Sequence, residues 1–184
     1  MENAMALGVF PKGPDSSLNG DGLVGLIGQR WDAAAVQELL QGLCAHEVVE
    51  TAGSVTKNRH VYLASGVVVE ECVRDRRVVA LHLYGPGTCG VQGYPGELPQ
   101  GLGFGMERAQ AHVSLGPPDC SGLLEGQAFD AWELNECMLR VTYDPDEKIA
   151  QVGLLRWYPL HKRAAHAALG VHLGPPPRPT PSAA

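Results

Sequence analysis

Two stretches, GVVVEECVRDRRVVALHLY (66–84) and ECMLRVTYDPDEKIAQVGLLRW (136–157), constrain this fold most. Each sets alternating apolar and polar residues on either side of a short charged turn, RDR or DPDE. Alternation with period two buries only one face of a pleated strand, and a tight polar turn brings the two runs together antiparallel. In the first hairpin Val79, Leu81 and Leu83 are expected on one face and Ala80, His82 and Tyr84 on the other. A chain with two such hairpins builds an antiparallel sheet with one buried face rather than a parallel βαβ layer.

Helical patterns precede the strands in both halves. WDAAAVQELLQGL predicts a helix with Asp32 as N-cap and Val36, Leu39, Leu40 and Leu43 on one face. HEVVET and RHVYLA then read as strands ahead of the first hairpin. In the second half MERAQAHVSLG predicts a short helix with Met106, Ala109 and Val113 on one face, ended by GPPD. QAFDAWEL and CMLRVTY follow as strands. Ala35, Leu39 and Gly42 share their spacing with Ala109, Val113 and Gly116, which suggests duplication. The expected architecture is α+β: two tandem repeats, each a helix packed on an antiparallel sheet. The boundaries read from the sequence are an irregular N-terminal segment (1–25), a first repeat (26–84), a Gly/Pro-rich linker (85–105) and a second repeat (106–158). A possible short helix (159–173) and a disordered Pro-rich tail (174–184) complete the chain.

Gly85, Gly87 and Gly90 satisfy G-x-G-x-x-G after an apolar run, the spacing of a dinucleotide fingerprint. That motif needs a helix starting at its third glycine, whose N-terminal amides hold the pyrophosphate. Here VQGYPGELPQGLGFG follows, and Pro95 and Pro99 with Gly93, Gly96, Gly101 and Gly103 forbid a helix. The stretch reads as an inter-repeat hinge, and no cofactor is expected.

The formal charge of −6 disfavours a binder of duplex DNA or anionic membranes. No apolar run approaches the roughly 20 residues of a membrane span, and the first residues lack signal-peptide character. The five cysteines are widely spaced without C-x-x-C, as expected of free thiols in the cytoplasm. No pair among the seven histidines has H-x-x-x-H or H-E-x-x-H spacing, so no metal site is expected. Cys44 with His46, or Cys89 with a distant histidine, has no recognisable nucleophile context.

Carboxylates supply the remaining pattern. Glu70 and Glu71 fall on opposite faces of a strand and cannot form a matched acid–base pair. Glu125, Asp130, Glu133 and Glu136, with Asp144, Asp146 and Glu147 in the next turn, suggest an acidic face around a partly exposed Trp132. An aromatic ringed by carboxylates suits docking on a basic protein, although an ordinary solvated face has the same composition. The candidate partner-binding residues are Glu125, Asp130, Trp132, Glu133, Asp144 and Asp146, with Glu70 and Glu71 as an alternative patch. No catalytic residues are expected.

LPQGLGFGMERAQAHVSLGPPDCSG followed by WELNECMLRVTYDPDEKIAQVGL resembles a bacterial family found beside polymorphic-toxin and type VI secretion effector genes. The pattern LPxGLxFxMxRAxxxxxLGxPDxSG is met at Leu98, Pro99, Gly101, Leu102, Phe104, Met106, Arg108, Ala109, Leu115, Gly116, Pro118, Asp119, Ser121 and Gly122. The hairpin part is met at Leu139, Val141, Tyr143 and Ile149, and the resemblance runs from about Tyr84 to Trp157. Such proteins resemble immunity proteins, and their helix-plus-sheet repeat is similar to the fold of a small periplasmic β-lactamase inhibitor. The resemblance implies a cytoplasmic antitoxin, a monomer or weak dimer, that neutralises a cognate toxin with a basic surface. A nuclease effector of a type VI secretion system, blocked at its substrate site, fits best. An effector-specific chaperone or adaptor is the alternative. No nucleic acid, membrane or cofactor partner is implied.

Overall fold

A computed structural model describes residues 20–43, 46–51, 56–135 and 137–156. The expected helix at 159–173, the tail at 174–184, Glu136 and the first 19 residues lie outside them. The fold is α+β, built on an eight-stranded antiparallel sheet in the order β1-β2-β3-β4-β8-β7-β6-β5. The strands are β1 (His46–Thr51), β2 (Lys57–Tyr62), β3 (Val67–Cys72), β4 (Arg77–Tyr84), β5 (Cys120–Leu124), β6 (Gln127–Glu133), β7 (Cys137–Tyr143) and β8 (Ile149–Arg156). Among the described residues three α-helices accompany them: α1 (Gly20–Val24), α2 (Ala34–Gln41) and α3 (Arg108–Leu115). Each expected hairpin forms, and their last strands meet, with His82 of β4 opposite Gly153 of β8.

Alternation selects the buried face. Val67, Val69, Leu81, Leu83, Leu139, Val141, Val152 and Leu154 form one core with Leu23, Val36, Leu39 and Ala111 from the helices. Each fully buried aliphatic side chain contributes about 1.5–3 kcal/mol over exposure. A register shift at Glu70/Glu71 pairs Glu71 with Val78 and Glu70 with Ala80. The resulting bulge makes Val78, rather than the expected Val79, the core partner of Leu81 and Leu83.

Several local expectations need correction. Residues 20–24 are helical, not irregular. α2 is capped by Ala33 without a side-chain bond, while Asp32 pairs with Arg30 at 3.0 Å. Strand β5 has no counterpart among the expected strands. Its sequence CSGLL is short and offers little apolar alternation. Of the expected inward face Met106, Ala109 and Val113, only Met106 packs against the core, just ahead of α3: Val113 is 87% exposed, Ala109 is exposed, and Ala111 is buried instead. The linker also differs from a loose hinge. Val91, Tyr94, Leu98 and Leu102 are buried, and the Tyr94 amide donates to the Tyr84 carbonyl at 2.8 Å. Gly66 has φ +60°, and a Cβ there would lie 2.5 Å from the Tyr94 nitrogen, so this packed strap depends on a bare backbone at 66.

Candidate partner-binding site

The β5–β6 turn at Glu125–Gly126 and the β7–β8 turn at 144–148 lie at one end of the sheet, because β6 and β7 pair from Phe129–Thr142 onward. Asp144 shapes the second turn: its Oδ1 accepts from the amides of Asp146 and Lys148, each at 2.9 Å. The strap joins this end through the Gly105 amide, which donates to the Ile149 carbonyl at 3.0 Å. Between them lies an open groove of about 550 Å³, lined by Gly85–Thr88, Phe104, Gly105, Gln127, Asp144, Ile149 and Ala150. Exposed Glu125, Asp146 and Glu147 stand on the turns at this end, with Lys148 as the opposing charge.

The other expected docking residues are dispersed. Glu133 is exposed but sits at the far end of β6, and its amide donates to Asp119 Oδ2 at 2.6 Å. Asp130 and Trp132 face the core, with 0% and 5% exposure, so neither belongs to a docking surface. The Trp132 indole donates to the Gly116 carbonyl at 3.1 Å, tying β6 to the end of α3.

Asp130 is instead a hub beneath α3. Arg108 donates to both of its carboxylate oxygens at 2.8 and 2.7 Å, Ser121 Oγ donates at 2.5 Å, and His112 Nε2 lies at 2.6 Å. Burial raises the Asp130 pKa, but the bonds from Arg108, Ser121 and His112 outweigh it and hold the group at about 2. Burial, followed by the nearby Asp130 charge, pushes the Tyr143 phenol upward. Arg108 also lies 5.2 Å from the Tyr143 ring centre. Ser121 donates to the carboxylate rather than to a histidine, so this cluster lacks the base-activated hydroxyl of a hydrolase. It binds helix to sheet. The motif residues Arg108, Asp119 and Ser121 therefore have structural roles. The sequence clue to Arg108 and His112 was their i, i+4 spacing on one helix face.

Glu70 and Glu71 occupy opposite sheet faces, as their adjacency required. Buried Glu71 meets His60 at 3.3 Å and Asn58 at 3.4 Å, with Arg76 closing over it, on the helix-covered face. Trp31 stacks on His60 with ring centres 4.1 Å apart. Glu70 lies on the other face with Lys57 at 2.8 Å, Arg59 at 3.4 Å and His82 at 3.7 Å. Burial opposes its charge, but His82 and Lys57 hold its pKa at about 2. Burial lowers the His82 pKa, while Glu70 opposes that effect. Both glutamates are committed to internal partners and do not form a free acidic patch.

No known protein family and no curated protein matches the chain in sequence. Among solved structures, it is similar to a DUF4309 family protein (YjgB) from Bacillus subtilis subsp. subtilis str. 168. That likeness has TM-score 0.39 and 14% identity, over 58% of this chain and 68% of the other. It is also similar to a cysteine-rich secretory protein (SAV1118) from Staphylococcus aureus subsp. aureus Mu50, with TM-score 0.43 and 14% identity, over 72% of this chain and 45% of that one. Both likenesses are too slight to carry function. Among the described residues, no helix is long and apolar enough to cross a membrane.

Proposed function

We propose that the protein is a cytoplasmic immunity protein that neutralises a cognate toxin, a type VI secretion nuclease effector being the best fit, by engaging its basic surface. The observation that carries this reading is the acid-rimmed groove of about 550 Å³, where Asp144 lines the wall and Glu125 and Asp146 stand exposed on the adjoining turns. A nuclease presents Lys and Arg side chains to hold phosphates. A cationic side chain entering the groove would meet carboxylates at its rim and the Phe104 ring within it. Electrostatic steering favours fast association of such a pair. The motif shared with the immunity-type family adds support, though its residues serve the scaffold. We read the two halves as tandem copies: each runs helix, then four-strand meander, and their last strands join at β4 and β8.

Co-expression with the toxin encoded beside this gene tests the proposal. The chain should restore growth and co-purify with the toxin, whereas the double variant Glu125→Lys, Asp146→Lys should protect less. Copurification without any rescue of growth would refute inhibition.

A further inference from the structure

We propose that the sheet face turned away from the helices binds a carboxylate anion at Arg140, above the notch left by Gly153. This proposal does not rest on the immunity reading.

The row His82–Gly153–Arg140–Ala131 crosses β4, β8, β7 and β6 as direct cross-strand partners. Arg140 is only 7% exposed. Among the described residues its guanidinium has neither a hydrogen bond nor an ion pair, and burial lowers its pKa against the opposing influence of Tyr84, Glu70 and Glu125. Thr142 Oγ1, on the same strand and face, is buried without a partner. A buried hydroxyl is costly without a partner. That hydroxyl and a nearly buried guanidinium with no acceptor among the described residues identify a place where a ligand oxygen would be stabilised.

Gly153 supplies room. A Cβ built there would stand 3.4 Å from His82 Nδ1 and 3.7 Å from Arg140 Nη2, so both nitrogens border the space a side chain would fill. The Gln151 amide lies 3.3 Å from the same His82 nitrogen. The guanidinium fork matches a carboxylate in two parallel N–H···O bonds, and low water access strengthens them.

Charge favours a monoanion. Lys57 and Arg59 on this face are both paired with Glu70, whereas Arg140 has no ion pair among the described residues. A phosphate dianion would bring a second charge that this arrangement does not balance. The surroundings favour an apolar body on the acid: Phe129, Ala131 and Met138 form a cluster beside Arg140, with Leu155 and Leu124 packed against it. The ligand class is a small carboxylic acid with an aromatic or aliphatic body.

The full chain should be titrated by calorimetry and thermal shift with benzoate, acetate, benzamide and inorganic phosphate at constant ionic strength. Benzoate should bind roughly tenfold more tightly than acetate because its ring buries more apolar surface, while benzamide and phosphate should be silent. Benzoate binding should disappear in Arg140→Gln and weaken in Gly153→Ala. The alanine methyl meets only ordinary contacts, so this variant carries the test alone if Arg140→Gln does not fold. Tighter binding of phosphate than benzoate, undiminished benzoate binding in a folded variant, or no benzoate binding up to about 50 mM would overturn the site. The measurement uses no protein partner, so its outcome and that of the growth assay are independent.

Discussion

Replacing Asp130 with Asn tests the hub on which α3 rests. The side chain keeps its shape but loses the charge that receives two bonds from Arg108 and one from Ser121. Asp130 is depressed from its ordinary 3.8 to about 2. Near 1.4 kcal/mol per pKa unit, that shift represents about 2–3 kcal/mol of folding stability at neutral pH. Because the folded-state pKa is the lower one, this stability is full above the unfolded value near 4 and drains as pH falls through about 2. Urea unfolding of the native chain and D130N should be compared from pH 7 to about pH 2. The native chain should lead by about 2–3 kcal/mol at pH 7, with the gap shrinking below about 1 kcal/mol near pH 2. Glu70, also near 2, is present in both chains and should largely cancel. A gap that stayed constant from pH 5 to pH 2 would refute an ionised, paired Asp130.

Three other substitutions probe separate parts of the molecule. Gly66→Ala forces a methyl to within 2.5 Å of the Tyr94 nitrogen at a left-handed position, and should cost at least about 3 kcal/mol by chemical denaturation. Arg140→Met removes a nearly buried guanidinium that has no hydrogen bond or ion pair among the described residues, and should raise ligand-free stability by about 1–3 kcal/mol; a lower melting temperature would contradict the absence of a partner. In stopped-flow measurements with the cognate toxin, the E125K/D146K double variant should associate about tenfold more slowly at low salt and approach the native rate at high salt. Equal rates at low salt would move the docking surface elsewhere.

The sheet was legible because strand alternation is a local signal: Leu81 and Leu83 stand on the buried face their spacing assigned. The bulge at Val79 was not, since it follows from pairing between β3 and β4 rather than from either strand alone. Helix α3 misled for a chemical reason. A stripe of apolar residues normally marks the buried face, yet α3 turns Arg108, Ala111, His112 and Leu115 inward because a carboxylate waits there. Asp130 lies between Phe129 and Ala131 in a strand whose acidic residues looked like a surface patch. Its partners His112 and Arg108 are 18 and 22 residues away, beyond the reach of periodicity.

The same inversion recurs across the sheet. Glu70 and Glu71 read as exposed acids, yet each has a cation from another strand or turn within ion-pair distance. A carboxylate on a strand is therefore ambiguous from its own neighbours, since a basic residue on the next strand decides whether it is buried. Turn carboxylates have fewer such neighbours. Glu125 and Asp146, at the tips of hairpins, kept the exposure their positions predicted. Thus the surface available to a partner is set by hairpin ends, while the mid-strand acids bind helix to sheet, as Asp130 does, or strand to neighbouring strand and turn, as Glu70 and Glu71 do.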